Sequence, residues 1–158
     1  MVYYALSYLI VARAYYQGRY RLKHPEKYIG DPNNIIFRSS WECRFSIWCD
    51  SNPSVLQWGS EEFSINYIKP TDGKVHRYFP DYIIKIRTRD QKIETWVVEI
   101  KPYSQSVPPV VTPRKKKKTL LEEQTTFLIN QAKWKAMKAY CDKVGWKFKV
   151  ITEKELGI

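Results

Sequence analysis

Apolar and polar residues alternate in three stretches near the middle of the chain, as they do in half-buried β-strands. The first stretch covers residues 62–70, where Ile65 and Tyr67 alternate with polar neighbours. The second covers residues 76–86 and the third covers residues 93–101. We expect three strands, and the second and third are predicted to be antiparallel because the loop between them is too short for a crossover.

The alternation also predicts which side chains share a face of each strand. In the third strand Val97, Glu99 and Lys101 are expected to point the same way. In the second strand one face is predicted to carry Tyr78, Tyr82, Ile84 and Ile86, and the other Phe79, Asp81, Ile83 and Lys85.

Helical spacing of apolar residues precedes the strands. A helix is predicted from about Ser39 to Asn52, with Pro53 just after it, and its apolar residues are Trp41, Phe45, Trp48 and Cys49. Glu42 follows Ser39 by three positions, as in a capping box, so bonding to the helix N-terminus is one role open to this carboxylate.

A second helix is predicted after the strands, from Leu120 to Val144, with Gly145 ending it. Its expected apolar stripe is Trp134, Met137, Cys141 and Val144. A last strand follows at residues 146–152. The element order is therefore helix, three strands, helix, strand, which predicts an α/β fold with a mixed central sheet flanked by helices.

The remaining segments divide the chain into an arm and one domain. Residues 1–36 are predicted to form a largely irregular N-terminal arm, because turn-forming residues are frequent there. Residues 37–158 form the predicted domain, and residues 102–119 form a proline-rich and then basic exposed loop within it. The apolar run from Val2 to Ala12 is too short to span a membrane, so we expect no membrane partner and interpret it as a partner-binding or weakly ordered segment.

Composition adds an expectation about partners and excludes some kinds of site. Of 158 residues, 27 are Lys or Arg and 16 are Asp or Glu, so the net charge of +11 favours a polyanion such as nucleic acid, with solubility alone as the alternative. Three cysteines without metal-ligand spacing are interpreted as reduced thiols. Two histidines give little material for a histidine-based metal site or a Ser/His/Asp triad.

Charged residues within the second and third strands are the candidate chemistry. Pairing of these strands would bring Asp81 and Glu99 to one end of the sheet, with Lys101 on the same face as Glu99. Mg²⁺ prefers oxygen ligands and often takes only one or two carboxylates, with water and substrate phosphate completing its coordination. Such an ion polarises a phosphodiester and lowers the pKa of bound water. The alternative is an ordinary ion pair on an exposed strand.

The motif formed by these residues resembles the signature of the PD-(D/E)XK nuclease superfamily. Pro80 and Asp81 match its first part, and Glu99, Ile100 and Lys101 match its second part. The resemblance implies a restriction-endonuclease-like α-β-β-β-α-β core, the same element order as predicted above. It also implies that Asp81, Glu99 and the Ile100 carbonyl hold the metal, that Lys101 orients water or stabilises charge on phosphate, and that Glu42 joins the site.

Other cations and polar residues have weaker assignments. Lys133 falls among the apolar residues of the second helix, where it either extends to solvent or, with Gln131, reaches the scissile phosphate, as in related nucleases. Tyr15, Tyr16 and Tyr20 either stack on bases or pack in the core. The candidate phosphate-binding residues are Arg38, Arg114, Lys115, Lys116, Lys117 and Lys118.

A closer resemblance is to the head completion nucleases of contractile-tailed bacteriophages. The stretches YYQGRY, KYIGDPNNIIFRSSWE, YFPDY, EIKP and NQAKWKA carry it, and it covers residues 15–151. Membership would imply a Mg²⁺-dependent DNA endonuclease, with Mn²⁺ able to substitute, that acts after DNA packaging near the tail vertex. It would also imply a place in the cytoplasm of the infected host or in the virion, and portal or neck proteins as partners.

Two rival functions remain open from the sequence. One is a resolvase-like or transposon-associated nuclease that cuts branched DNA or DNA ends, and the other is a neck protein that binds DNA without cutting it. The substrate is expected to be duplex or branched DNA. Oligomeric state is left open, with a dimer among the alternatives.

Overall fold

A computed structural model of the protein describes residues 16–156. The expectations for Val2–Ala12 and Tyr15 therefore lie outside the described residues. In chain order the elements are β1 (Gly18–Arg19), a 3₁₀ turn (Pro25–Lys27), β2 (Ile36–Phe37), α1 (Ser40–Ser51), β3 (Val55–Ser60), β4 (Ile65–Ile68), β5 (Val75–Tyr78), β6 (Tyr82–Arg87), β7 (Ile93–Ile100), α2 (Tyr103–Ser106), α3 (Lys117–Val144), β8 (Lys147–Ile151) and α4 (Glu153–Leu156).

The central sheet has the strand order β3-β6-β7-β8. β6 pairs antiparallel with both β3 and β7, whereas β7 and β8 are parallel. A parallel pair needs a crossover connection, and α3 supplies it. The sheet is therefore mixed and flanked by helices, which confirms the predicted α/β class and its restriction-endonuclease-like arrangement.

The first strand of the central sheet is β3, which the hydrophobic pattern did not predict. Its sequence, VLQWGS, contains no regular alternation, and its register with β6 shifts between Val55 and Gln57. The strand predicted at residues 62–70 corresponds to β4, which pairs with β5 in a separate two-stranded sheet. The prediction therefore located a strand but assigned it to the wrong sheet.

The strand predicted at residues 76–86 consists of two strands, β5 and β6. Pro80 lies between them, and proline cannot donate a hydrogen bond to a sheet ladder. Because the chain changes sheets here, Tyr78 packs with residues of α3, whereas Tyr82 packs with residues of α1. The prediction that Tyr78 and Tyr82 share a face is therefore wrong.

Hydrophobic residues cover both faces of the central sheet. On one face Phe45 and Cys49 of α1 pack against Trp58, Tyr82 and Val98. On the other face, the buried residues are Ile65, Tyr67, Tyr78, Val97, Trp134, Met137 and Cys141. The two clusters fix α1 and α3 on opposite sides of the strands that carry the candidate site.

Helix α1 begins with the predicted capping box. Ser39 is the N-cap, and its Oγ accepts a hydrogen bond from the Glu42 backbone N–H at 3.1 Å. The Glu42 side chain accepts from the Ser39 hydroxyl and from the Arg38 backbone N–H. The expected helix over residues 39–52 is confirmed.

Helix α3 is longer than the sequence predicts. It begins at Lys117 rather than Leu120, so part of the predicted loop over residues 102–119 is helical, as is the short α2. It ends as predicted at Gly145, whose φ of +77° is left-handed. Val144 is 41% exposed, so the buried stripe ends at Cys141.

The N-terminal segment from Tyr16 to Ile36 contains little regular structure but lies against the core. Lys27 Nζ donates to the carbonyl oxygens of Cys49, Asp50 and Asn52 at 2.8–3.0 Å, and so ties the segment to the end of α1. The domain boundary between residues 36 and 37 stays a prediction.

The described residues contain no helix with the length and apolar character needed to cross a bilayer. The three cysteines are free thiols, and Cys49 and Cys141 are buried.

Candidate active site

The pairing of β6 with β7 determines where the candidate carboxylates lie. Tyr82 is opposite Val98, so Asp81 and Glu99 are each one residue beyond this pair, at the same end of the two strands. Asp81 Oδ2 accepts a hydrogen bond of 2.7 Å from the Ile100 backbone N–H. Glu99 is only 4% exposed. Two acidic side chains are therefore held side by side with little access to water.

Lys101 connects the two carboxylates. Its Nζ lies 3.1 Å from Glu99 Oε1 and 3.9 Å from Asp81 Oδ2. Both acids thus reach a single cation, as the strand pairing predicted. Burying two carboxylates is unfavourable unless positive charge compensates them.

The pKa values of this cluster reflect that arrangement. Burial, together with the neighbouring Glu99 carboxylate, raises the pKa of Asp81 to about 7, although Lys101 and the Ile100 N–H favour its charged form. Burial alone would lower the pKa of Lys101, but Asp81 and Glu99 outweigh that effect and raise it. Lys101 is therefore a cation at neutral pH.

Tyr78 holds Glu99 from the other side, and the alternation of apolar and polar residues did not predict this contact. The Tyr78 hydroxyl donates to Glu99 Oε2 at 2.8 Å. Burial and the Glu99 charge raise the pKa of Tyr78, so its hydroxyl stays protonated and remains a donor. The proline between β5 and β6 was the only sequence signal, because it is what turns Tyr78 toward α3.

Replacing Tyr78 with Phe is expected to lower DNA cleavage about ten-fold, because Glu99 loses the donor that orients it while the packing of the ring is kept. Cleavage rates measured over a range of divalent-metal concentrations would show the effect as a higher metal requirement. Tyr67→Phe, on the same cluster, is the matched control. Equal metal requirements for wild type and Tyr78→Phe would contradict the orienting role.

Lys133 lies beside the rings of Tyr78 and Tyr67, and its predicted reach toward the scissile phosphate stays a prediction. Its Nζ is 5.5 Å from the Tyr78 ring centroid and 5.8 Å from that of Tyr67, within cation–π range. The ammonium is therefore one aromatic ring away from Glu99, which supports a position near the candidate site rather than in bulk solvent.

Gln131 lies apart from this cluster. It is exposed and borders a separate surface depression with Lys135, Lys138 and Phe148. Asn130, its neighbour, is 6% exposed, and its Nδ2 has no hydrogen-bond partner among residues 16–156. The structure therefore does not bring Gln131 together with Asp81 and Glu99.

Glu42 faces the site across a cleft of about 360 Å³. The lining residues are Ser39, Ser40, Trp41, Glu42, Ile100, Lys101, Pro102 and Gln105. The Glu42 carboxylate is near enough to contribute to the raised pKa of Asp81. Glu42 therefore takes part in the cap of α1 and also lines the cleft.

Arg38 lies beside this cleft at the start of α1. Its guanidinium pairs with Glu61, a half-buried residue that sequence reasoning overlooked. The hydrogen bond to Glu61 raises the pKa of Arg38 against the opposing effect of burial. The cation is half-exposed and close to the acidic cluster.

The basic run precedes and begins α3. Arg114, Lys116, Lys117 and Lys118 are exposed, whereas Lys115 is held by Glu123 at 2.7 Å and by the Val110 carbonyl. No acidic residue lies in the first turn of this helix. A helix N-terminus carries partial positive charge, which adds to the charge of these side chains. The region is therefore a strongly electropositive surface.

The donor atoms of the cluster fit a hard divalent cation. Asp81 and Glu99 both reach one cation, Lys101 Nζ, and Asp81 is hard to ionise without further positive charge. Residues 16–156 contain no group of three or more His, Cys, Asp or Glu side chains arranged to hold a metal. Two carboxylates are nevertheless a sufficient protein contribution for Mg²⁺, which keeps several waters.

Comparison with known proteins also indicates a nuclease. Residues 52–153 match the family described as TnsA-like endonuclease N terminal. A head completion nuclease of Enterobacteria phage T4 is 38% identical over 144 residues, which cover 89% of this chain and 93% of that protein. The match to the family spans β3 to β8 and includes Asp81, Glu99 and Lys101. The chain therefore belongs to the TnsA-like endonuclease family and is a homologue of the phage head completion nuclease.

Proposed function

We propose that this endonuclease hydrolyses DNA phosphodiester bonds in a Mg²⁺-dependent reaction, with Mn²⁺ able to replace Mg²⁺, during phage head completion. The observation that carries the proposal is the convergence of Asp81, Glu99 and Lys101 at one end of the central sheet. A neutral or purely structural site would not need two carboxylates buried beside each other.

The metal would be held by Asp81, Glu99 and the carbonyl oxygen of Ile100, with Glu42 facing it across the cleft. A divalent ion held there would polarise the phosphodiester and lower the pKa of an attacking water. The Ile100 N–H fixes the orientation of Asp81, and Tyr78 fixes that of Glu99. Both acids are thus preorganised by the chain itself.

Lys101 supplies the positive charge that the chain contributes to the reaction. Its ammonium is protonated and lies within 4 Å of both acids, so it is suited to orient water or to stabilise charge developing on phosphate. Lys133, whose contact with the Tyr78 ring supports a position near the cluster, is proposed to assist it. Gln131 has no part in the proposed site, because it lies on a different surface of α3.

DNA would bind through phosphate contacts on both sides of the cleft. Arg38 is the candidate next to Glu42, and Arg114, Lys116, Lys117 and Lys118 are the candidates around the start of α3. Phosphate would relieve the repulsion between these cations and the helix N-terminus. The resulting affinity should fall steeply with salt and depend little on sequence.

The biological setting follows from the T4 relative, which is a head completion nuclease. We infer that the chain acts on packaged DNA late in head assembly, in the cytoplasm of an infected bacterium or within the virion. Portal or neck proteins are the expected partners, and a dimer is one assembly that the proposal allows.

The match to the TnsA-like family favours a second candidate function, a transposon-associated or resolvase-like nuclease. That enzyme would cut at DNA ends or branches rather than trim packaged DNA. A preference for a defined end or junction sequence would support it, whereas phage head assembly would be unaffected by loss of its activity. A neck protein that binds DNA without cutting is the remaining alternative.

Cleavage of supercoiled plasmid tests the proposal. The wild-type protein should nick or linearise the plasmid with Mg²⁺ or Mn²⁺, and EDTA should stop the reaction. Glu99→Gln keeps the shape of the side chain and its bond from Tyr78 but removes the charge, so it should cut at least about a hundred-fold more slowly. Cleavage that continues in EDTA, or at the wild-type rate in Glu99→Gln, would overturn the proposed site.

A further inference from the structure

The hairpin formed by β4 and β5 has two faces of different character. Ile65, Tyr67 and Tyr78 are buried and belong to the cluster that packs with α3. Residues on the opposite face are exposed, including Ile68 and Val75 at 65% and 66%. The hairpin thus leaves a partly apolar outer face without a covering element among residues 16–156.

An aromatic residue lies at the point where this hairpin leads into the site. Phe79 is 43% exposed, and only Pro80, which is fully buried, separates it from Asp81. Two residues of extended chain span at most about 7 Å, so the backbone of Phe79 is close to that of the proposed metal ligand. The exposed ring therefore has a face available to a group outside the chain.

Arg77 gives this ring a cationic partner. Its guanidinium carbon lies 4.8 Å from the Phe79 ring centroid, in cation–π geometry. The guanidinium is held by Ser64, whose Oγ accepts hydrogen bonds from Nε at 3.2 Å and from Nη2 at 2.9 Å. Within the described part of the chain Arg77 forms no ion pair, so its charge is available to an anion.

One kind of ligand, a nucleobase, matches the combination of an exposed ring, a positioned guanidinium and a neighbouring site proposed to cleave phosphodiesters. Aromatic rings stack on nucleobases and arginine adds electrostatic attraction, as in single-strand-binding proteins. Lys69 and Lys74 flank the hairpin turn and add further positive charge. Inside an intact duplex the base faces are covered by their neighbours, so an unpaired base accepts such a contact more readily than a paired one.

We propose that Phe79 and Arg77 form a stacking site for an unpaired nucleobase next to the scissile phosphate. The preferred substrate is therefore DNA with frayed or unpaired nucleotides at the cut, such as a fork, a flap or an open end. This inference rests on the proposed nuclease function, because it places the base relative to Asp81. It adds a substrate class that the site residues alone do not specify.

Binding measured without catalysis tests this proposal separately from the nuclease function. The probe is a forked oligonucleotide with 2-aminopurine at the first unpaired position, in EDTA, beside a fully paired duplex of the same sequence. Phe79→Leu removes the aromatic face but keeps the apolar bulk, whereas Phe79→Trp keeps a stacking surface. Thermal melting verifies that both variants are folded.

The wild type should bind the fork more tightly than the duplex and quench the 2-aminopurine fluorescence. Phe79→Leu should lose the quenching and bind the fork about ten-fold more weakly, with unchanged duplex affinity, and Phe79→Trp should behave like the wild type. Equal affinity of the wild type for fork and duplex would overturn the stacking site. A Phe79→Leu variant that binds the fork normally, or that loses affinity for the fork and the duplex equally, would also overturn it. None of these three results would affect the plasmid test of the nuclease function.

Discussion

Asp81→Asn is expected to reduce DNA cleavage by about a hundred-fold to a thousand-fold and, in metal-free buffer above pH 7, to stabilise the folded protein. The loss of activity follows from removal of a metal ligand. The gain in stability follows because the buried Asp81 carboxylate lies beside Glu99, and asparagine resembles the protonated acid while keeping an acceptor for the Ile100 N–H.

The pH dependence of this gain has a definite sign. The pKa of Asp81 is about 7 in the folded protein, above its ordinary value of 3.8. The protonated acid is therefore favoured by folding, and its contribution to stability is complete below about pH 4 and is lost as the pH rises through 7. Asp81→Asn removes that loss, so its advantage should be near zero at pH 4 and roughly 2 to 4 kcal/mol at pH 8.

Urea unfolding in EDTA at several pH values would measure this advantage, and plasmid cleavage would measure the activity. Asp142→Asn is the matched control, because Asp142 is 63% exposed and pairs with Lys138 on the helix surface. It should change stability by less than about 1 kcal/mol at any pH. An Asp81→Asn protein that is less stable than wild type at pH 8 would contradict the unfavourable burial assigned to the charged Asp81 beside Glu99.

Asp50→Ala is expected to destabilise the protein by about 3 kcal/mol without removing any residue of the site. Asp50 is 1% exposed at the end of α1. Its carboxylate accepts hydrogen bonds from the Tyr20 hydroxyl and from the backbone N–H groups of Lys23 and His24, at 2.7–3.0 Å. Removing the acceptor leaves these donors unpaired and loosens the N-terminal segment from the core.

The free energy of unfolding from urea titration would measure this effect. Tyr20→Phe, which removes one of the three donors and keeps the ring, should cost about 1 kcal/mol. At a temperature where Asp50→Ala is folded, its cleavage rate should match the wild type, because Asp50 lies outside the cleft. A stability equal to that of the wild type would contradict the role of this acid in attaching the segment.

The sequence was sufficient for the two long helices, for the pairing of β6 with β7 and for the acidic cluster. Alternation in β7 places Glu99 and Lys101 on one face, and the short loop before it makes β6 and β7 antiparallel. These two local facts place Asp81 next to Glu99. The capping box of Ser39 and Glu42 is equally local, since it depends on only four consecutive residues.

Features that depend on tertiary packing were not predictable in the same way. The burial of β3 comes from the elements that pack against it and cannot be read from its own sequence pattern. The change of sheet at Pro80 directs Tyr78 toward Glu99. The exposed position of Gln131 follows from the rotation of α3 against the sheet, which the irregular apolar stripe does not determine. Each of these depends on contacts between residues far apart in the chain.

The most direct test of the central claim is a crystal structure of the protein grown with Mn²⁺, with the anomalous signal used to locate the ion. The account predicts one peak with oxygens of both Asp81 and Glu99 about 2.1 Å away. An ion bound elsewhere on the protein, or bound by only one of these two carboxylates, would contradict it.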